Sequence, residues 1–341
     1  MSLDPTRLSS AEDCLALYER GFAGFYPDPT AEAALLEEIE ARGGYARAIG
    51  AISRFHLANA GEGVLSLPFL AAMGMYPDCL PGGSQARGDC VSWSMRSAAL
   101  VSYCASLLWG DNPDRYAPPT VSDTARTNGV FATESWYWFR AHSGEGWNCG
   151  DAARIALTRS GMTVRKNYPE IGIDLEEYSG ATAGKWGASA PPEKVLSVTS
   201  QHLLSTATVC KNWEEVRDML ANGFALATCG GEAFERTRDE YGFCHRSNSV
   251  WRHAMSFIAA DDREEVKRRY RCRVGGLVLV QNSWGNYCGD ACPIYGSKFK
   301  IPAGSFWARW DDVCERYMVA IGGGRGFTAN AVPRWSLASI I

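Results

Sequence analysis

The order in which helix-like and strand-like segments follow one another constrains this chain more than any other feature. Cys90 to Leu108 is a run of apolar and small residues without Gly or Pro. It is entered from the turn-rich stretch Tyr76 to Gly88, which holds Pro77, Pro81, Gly82 and Gly83, so it reads as a buried helix. Asp151 to Arg159 reads as a second helix closed by Ser160-Gly161, and Asn212 to Asn222 as a third with Asn212 as its cap. Beyond that point the apolar runs shorten. Gly223 to Cys229, Ala254 to Ala260, Gly276 to Gln281 and Ser297 to Ile301 are brief and bounded by Gly, Asp or Pro, as strands are. Helices first and strands afterwards predict an α+β body, a helical lobe against a mainly antiparallel sheet.

Residues 1–80 read differently. Ala31 to Ile52 is rich in Ala, Leu and Glu, with Ala34, Leu35, Ile39, Ala46 and Ile49 near helical spacing and Pro29-Thr30 as lead-in. This predicts a helical N-terminal extension, and 341 residues accommodate one large body plus such a segment. Gly180 to Pro192, rich in Gly, Ala and Pro, reads as a surface loop.

Composition narrows the function classes. With 46% hydrophobic and 21% charged residues the chain has enough apolar material for a core. The 34 basic and 38 acidic side chains leave a net charge of −4, so no phosphate-neutralising surface and no nucleic-acid partner are expected. Met1 to Gly21 lacks a basic-then-apolar leader, and no window approaches the roughly 18 apolar residues of a membrane span. A cytoplasmic protein with no membrane partner is the expectation. The twelve cysteines are scattered, several within apolar runs (Cys104, Cys210, Cys229), and read as reduced interior residues. Cys288 and Cys292, near Cys272, form a Cys-x-x-x-Cys pair without a second pair, too little for a zinc site. No metal and no cofactor are expected.

Three elements carry chemistry. Gly88-Asp89-Cys90 opens a helix, where the positive end of the macrodipole favours a thiolate, so Cys90 is the candidate nucleophile. His253 opens an apolar strand and is the candidate acid/base; Asn282, ending another strand, can accept the ring N–H and fix the tautomer without adding charge. Gln85 can aim an amide N–H at a developing oxyanion, beside the backbone N–H of Cys90. Asp89 has two readings, a helix cap or a like-charge neighbour of the thiolate.

The order Gln85, Cys90, His253, Asn282, with Asn-Ser-Trp-Gly at 282–285 and His253-Ala254-Met255, resembles the papain family of cysteine peptidases. Asn148-Cys149-Gly150, the following helix and Asn167-Tyr168-Pro169 resemble that family's substrate-cleft loop, lobe helix and Tyr-Pro turn. The resemblance implies a two-lobe fold over 81–320, with a helical lobe over about 88–175 and a β lobe over about 205–320, an extension over 1–80 and a tail over 321–341. It also implies that Asn148, Cys149 and Gly150 bind substrate and that Trp284 covers the bond between His253 and Asn282. Two departures stand out. Gln85 lies one position closer to the cysteine than is usual in the family, and a charged insertion, Asp261 to Arg273, reads as an enlarged hairpin between His253 and Asn282. The family's disulfides are not evident.

The function implied is hydrolysis of peptide bonds through an acyl-enzyme thioester. Two other readings use the same residues. One is a papain-like scaffold serving as a structural or binding subunit of a larger assembly such as a virion, docked through the N-terminal extension. The other is a peptidoglycan-cleaving cysteine hydrolase, suggested by Gly88-Asp89-Cys90 before a helix and opposed by Asn-Ser-Trp-Gly.

Overall fold

Asp28 begins the described helical structure: its carboxylate accepts the backbone N–H groups of Thr30 and Ala31 at 3.0 and 3.1 Å and so caps α1, Pro29–Ala41. The structure is a computed structural model that describes residues 24–25, 27–41, 58–77, 84–109, 129–140, 142–161, 163–189, 193–204 and 206–322. The expected continuation of the first helix through Ala46 and Ile49, and the tail beyond 322, lie outside the described residues.

The central element is α2, Cys90–Trp109. Every residue from Cys90 to Ala105 is buried, which a helix tolerates only if it is apolar all round and its few polar groups are paired. Two of its serines meet that condition by bonding to the sheet. Ser94 donates to the Met255 carbonyl at 2.6 Å and accepts the Thr228 N–H at 3.2 Å. Ser102 accepts the Ala225 N–H at 2.9 Å. These bonds fix the helix in register with the two longest strands.

Helix α3, Cys149–Thr158, starts two residues before the predicted helix because Asn148 accepts from Gly150 and Asp151. The stretch expected as a surface loop contains α4, Gly180–Gly187, capped by Ser179. Its glycines serve close packing: a Cβ on Gly180 would lie 2.9 Å from that of Ala86, and one on Gly187 3.0 Å from the Tyr137 ring. Asn212 caps α5, Trp213–Ala221, through the Glu215 N–H. The charged insertion is also helical, α6, Glu264–Tyr270. Its flanks are tied down by Arg263 to Asp261 at 2.7 Å and Lys267 to Asp262 at 2.9 Å.

The strands of the main sheet are β1 Leu65–Ser66, β2 Ala207–Cys210, β3 Leu226–Arg238, β4 Cys244–Asp261, β5 Leu277–Gln281, β6 Ser305–Arg309 and β7 Tyr317–Ile321. They run in the order β6-β5-β4-β3-β7-β2 with β1 added to β4, and every pairing is antiparallel. Residues 58–77, read from sequence as part of the extension, pack into this lobe: Leu67 and Phe69 are fully buried, and the Asp262 N–H donates to the Val64 carbonyl at 3.0 Å. An α+β architecture is therefore observed, with α2 between the helical half and the sheet.

Candidate active site

The start of α2, the middle of β4 and the end of β5 converge on one point. Cys90 is the first residue of α2, and the Ala254 N–H donates to its sulfur at 3.3 Å, so the thiol sits one residue along β4 from His253. A hydrogen bond to sulfur at a helix start favours the thiolate. Ser94, one turn into the same helix, bonds to Met255 two residues past His253, which explains how helix and strand hold the pair together.

His253 is turned into this position by an irregularity in β4. The register with β3 shifts between the pairs Gly230–His253 and Glu232–Val250, and Arg252 takes a φ of 45°, a left-handed conformation that a non-glycine residue adopts only where the surroundings impose it. The ring Nε2 lies 2.8 Å from Asn282 Oδ1, which also accepts the Ser283 N–H at 2.7 Å. Because that backbone donor identifies the amide oxygen, Nε2 must carry the proton. Nδ1 is then the nitrogen that can take one in the neutral ring. Trp284 stacks on the imidazole at 4.5 Å with planes 19° apart, and Cys90, His253 and Trp284 are all fully buried. Burial pushes the His253 imidazole down to about 3, against the hydrogen bond to Asn282 and with help from the Arg316 charge. The ring is uncharged at neutral pH.

Gln85 is anchored by the opposite strand end. Its N–H donates to the Ser283 carbonyl at 2.8 Å, its Oε1 accepts from the Ser283 hydroxyl at 2.5 Å, and its Nε2 donates to the Arg87 carbonyl at 2.6 Å. The amide is thus held between the Asn-Ser-Trp-Gly turn and the loop that leads to Cys90.

Asn148, Cys149 and Gly150 stand at the start of α3. Asn148 spends its side-chain oxygen on the cap. Cys149 is bonded to Cys229 of β3, which corrects the expectation that the cysteines are all reduced and that no disulfide is present. Two cysteines 80 residues apart give no local sign of pairing; only the packing of α3 on the sheet brings them together. The bridge ties the helical half to the strand beside His253. Gly150 faces α1, where an added Cβ would lie 3.1 Å from the Glu32 Cα.

The chain's own N-terminal segment crosses this region. The Phe25 N–H donates to the Arg252 carbonyl at 3.1 Å, and the Trp147 N–H donates to the Gly24 carbonyl at 3.2 Å. Phe25 borders a cavity of about 760 Å³ lined also by Cys229, Gly230, Glu232, Arg316 and Tyr317.

Arg316 has no motif around it, and the sequence reading missed it. Its buried guanidinium donates to the His253 carbonyl at 2.5 Å, Thr228 Oγ1 at 3.0 Å and Glu232 Oε2 at 2.8 Å. Burial lowers its pKa while Glu232 and the Cys90 sulfur raise it, so its charge favours a thiolate at Cys90. Among the described residues no group of three or more His, Cys, Asp or Glu side chains could hold a metal, and no helix is long and apolar enough to cross a membrane.

No protein-family profile and no curated protein matches the sequence. Solved structures do. The procathepsin B S9 of Trypanosoma congolense is 10% identical, with 91% of this chain and 89% of that one covered and a TM-score of 0.50. Xylellain, a cysteine protease from Xylella fastidiosa, is 12% identical over 72% of this chain and 83% of its own, with a TM-score of 0.45. The digestive procathepsin L2 of Tenebrio molitor larval midgut is 12% identical over 91% and 98%, with a TM-score of 0.41. At such identities the likeness concerns the fold. The antiparallel sheet, the buried helix that begins at Cys90 and the likeness to procathepsin B together identify the papain-like cysteine peptidase fold.

Proposed function

We propose that the protein is a thiol peptidase that cuts peptide bonds through a thioester on Cys90. The observation that carries the reading is the double use of Asn282 Oδ1, which takes the Ser283 N–H and the His253 Nε2 proton and leaves Nδ1 as the ring nitrogen that can act as base. The Cys90 thiol gives its proton to Nδ1 and its sulfur attacks the scissile carbonyl carbon. The C–N bond then breaks, the amine leaves with the proton from His253, and an acyl thioester remains. Water attacks that thioester with His253 as base, releasing the acid and restoring the thiol. The Cys90 N–H and Gln85 supply donors for the two oxyanions.

The substrate is a protein or peptide that lies where Gly24 and Phe25 now lie. Their backbone bonds to Trp147 on one side and Arg252 on the other are those an extended peptide would need to reach His253. Docking to a larger assembly through the extension, which belongs to the scaffold reading, gives way in this reading to a cover that must leave before substrate enters.

Cleavage of a diverse peptide library tests the proposal. Cys90→Ala is expected to abolish turnover. Gln85→Ala is expected to lower kcat by about 10²-fold with little change in KM, because an oxyanion donor acts only as charge develops. Wild-type protein that cleaves no peptide, with the cover displaced, would favour the scaffold reading instead.

A further inference from the structure

Asp89, immediately before the candidate nucleophile, is fully buried and does not cap α2. Its Oδ2 accepts the Tyr178 hydroxyl at 2.9 Å and the Trp93 indole N–H at 3.2 Å, while its Oδ1 is buried without a partner. A carboxylate in that setting has one oxygen satisfied twice and the other buried without a hydrogen bond, whereas a proton on Oδ1 removes the charge.

The same tyrosine organises the loop. Its hydroxyl accepts the Ala86 N–H at 3.1 Å, so it links Asp89 to the residue after Gln85. Glu145 holds the intervening residues, accepting the Gly88 N–H at 2.9 Å and the Arg87 Nε–H at 3.0 Å, with the Tyr137 hydroxyl at 3.2 Å. The Trp93 and Tyr178 rings meet edge to face at 4.9 Å.

We propose that Asp89 is a positioning residue which, as an un-ionised acid bonded to Tyr178 and Trp93, sets the Gln85–Cys90 turn and keeps a second negative charge away from the Cys90 thiolate. The proposal rests on Cys90 being the reacting thiol. Burial pushes the Asp89 carboxyl up to about 8; the Tyr178 hydrogen bond and Asp89's own backbone N–H oppose this, and the Glu134 and Glu145 charges add to it. Besides these, Asp89 interacts electrostatically with Arg87, Tyr137 and Tyr178, and Glu134 is itself paired with Arg165 at 3.1 Å. Between about pH 4 and pH 8 the folded chain keeps a proton that the unfolded chain has lost. Asp89 therefore stabilises the fold most below that window, and its contribution is lost as pH rises through about 8.

The test uses the full chain, with Asp89→Asn, Asp89→Ala and Tyr178→Phe variants, and reads two quantities across pH 5–9: the urea midpoint, and the rate at which iodoacetamide alkylates Cys90, located by peptide mass mapping. Asn keeps the shape of the neutral acid. Asp89→Ala and Tyr178→Phe are expected to slow alkylation tenfold or more near pH 6.5, and Asp89→Asn to recover most of that loss. Above pH 8 the wild-type rate should fall behind that of Asp89→Asn, and the wild-type urea midpoint should drop more between pH 5 and 8 than that of Asp89→Asn. Equal pH slopes for wild type and Asp89→Asn, or Asp89→Ala alkylated as fast as wild type, would overturn the proposal. Iodoacetamide requires only the thiol, so a chain that cleaves no peptide would end the peptidase reading while these ratios remained readable.

Discussion

Arg316→Met is expected to lower the free energy of unfolding by about 3–5 kcal/mol, the usual cost of removing one partner from a buried ion pair. The guanidinium is wholly enclosed and its 2.8 Å partner, Glu232, is 6% exposed, so methionine of similar length would leave a carboxylate in an apolar site with no cation. Two neutral acceptors, the His253 carbonyl and Thr228 Oγ1, would also lose their donor. Most of the cost belongs to the stranded charge, so adding Glu232→Gln to the same chain should return a substantial part of the stability. Urea unfolding of the single and double variants measures both. A single variant within 1 kcal/mol of wild type would mean that Glu232 takes up a proton at little cost.

Replacing Cys149 and Cys229 together by serine is the second large effect. The bridge closes a loop of 80 residues, and the chain-entropy relation gives about 4.5 kcal/mol for a cross-link of that span. Wild type treated with a dithiol should unfold at the same lower urea concentration as the double serine variant, and the variant should not respond to the dithiol. Both sulfurs are buried, so reduction should also require the halves to part, and should be slow until denaturant is added. Identical midpoints for oxidised wild type and the double variant would show that the link constrains little.

What the sequence revealed and what it concealed divide along local and tertiary lines. The helix beginning at Cys90, the cap at Asn212 and the strands around His253 and Asn282 depend on periodicity and neighbouring residues, and these are legible in the chain. The disulfide depends on α3 meeting β3, and Arg316 on Glu232 being delivered to the same place 84 positions earlier in the chain; neither partner marks the other locally. Glu145 and Tyr178, which hold the loop before Cys90, come from separate segments. Helix α4 was concealed for a different reason. Its glycines look like loop residues in sequence, yet a Cβ at Gly184 would overlap the Arg87 guanidinium. Close approach, not flexibility, explains them.

The insertion between His253 and Asn282 illustrates how spacing and geometry separate. The two side chains are 29 positions apart yet 2.8 Å from one another, because β4 and β5 are paired neighbours and α6 leaves and returns at one end of that pair. Added length on a strand connection costs little when its ends are already close.

The central claim, that Cys90 is an activated thiol beneath a cover made by the chain itself, is tested most directly by labelling with an epoxide-type thiol-protease inhibitor followed by peptide mapping. Three proteins suffice: the full chain, the full chain with Phe25→Asp, and a chain lacking residues 1–41 that keeps the core segment 58–77. An aspartate at the buried Phe25 position should displace the segment because an unpaired buried carboxylate is costly. Cys90 is expected to be the labelled residue in all three, with a rate that rises tenfold or more when the cover is displaced or absent. Labelling of another cysteine ahead of Cys90, or a Cys90 that stays unreactive once Gly24 and Phe25 are gone, would contradict it.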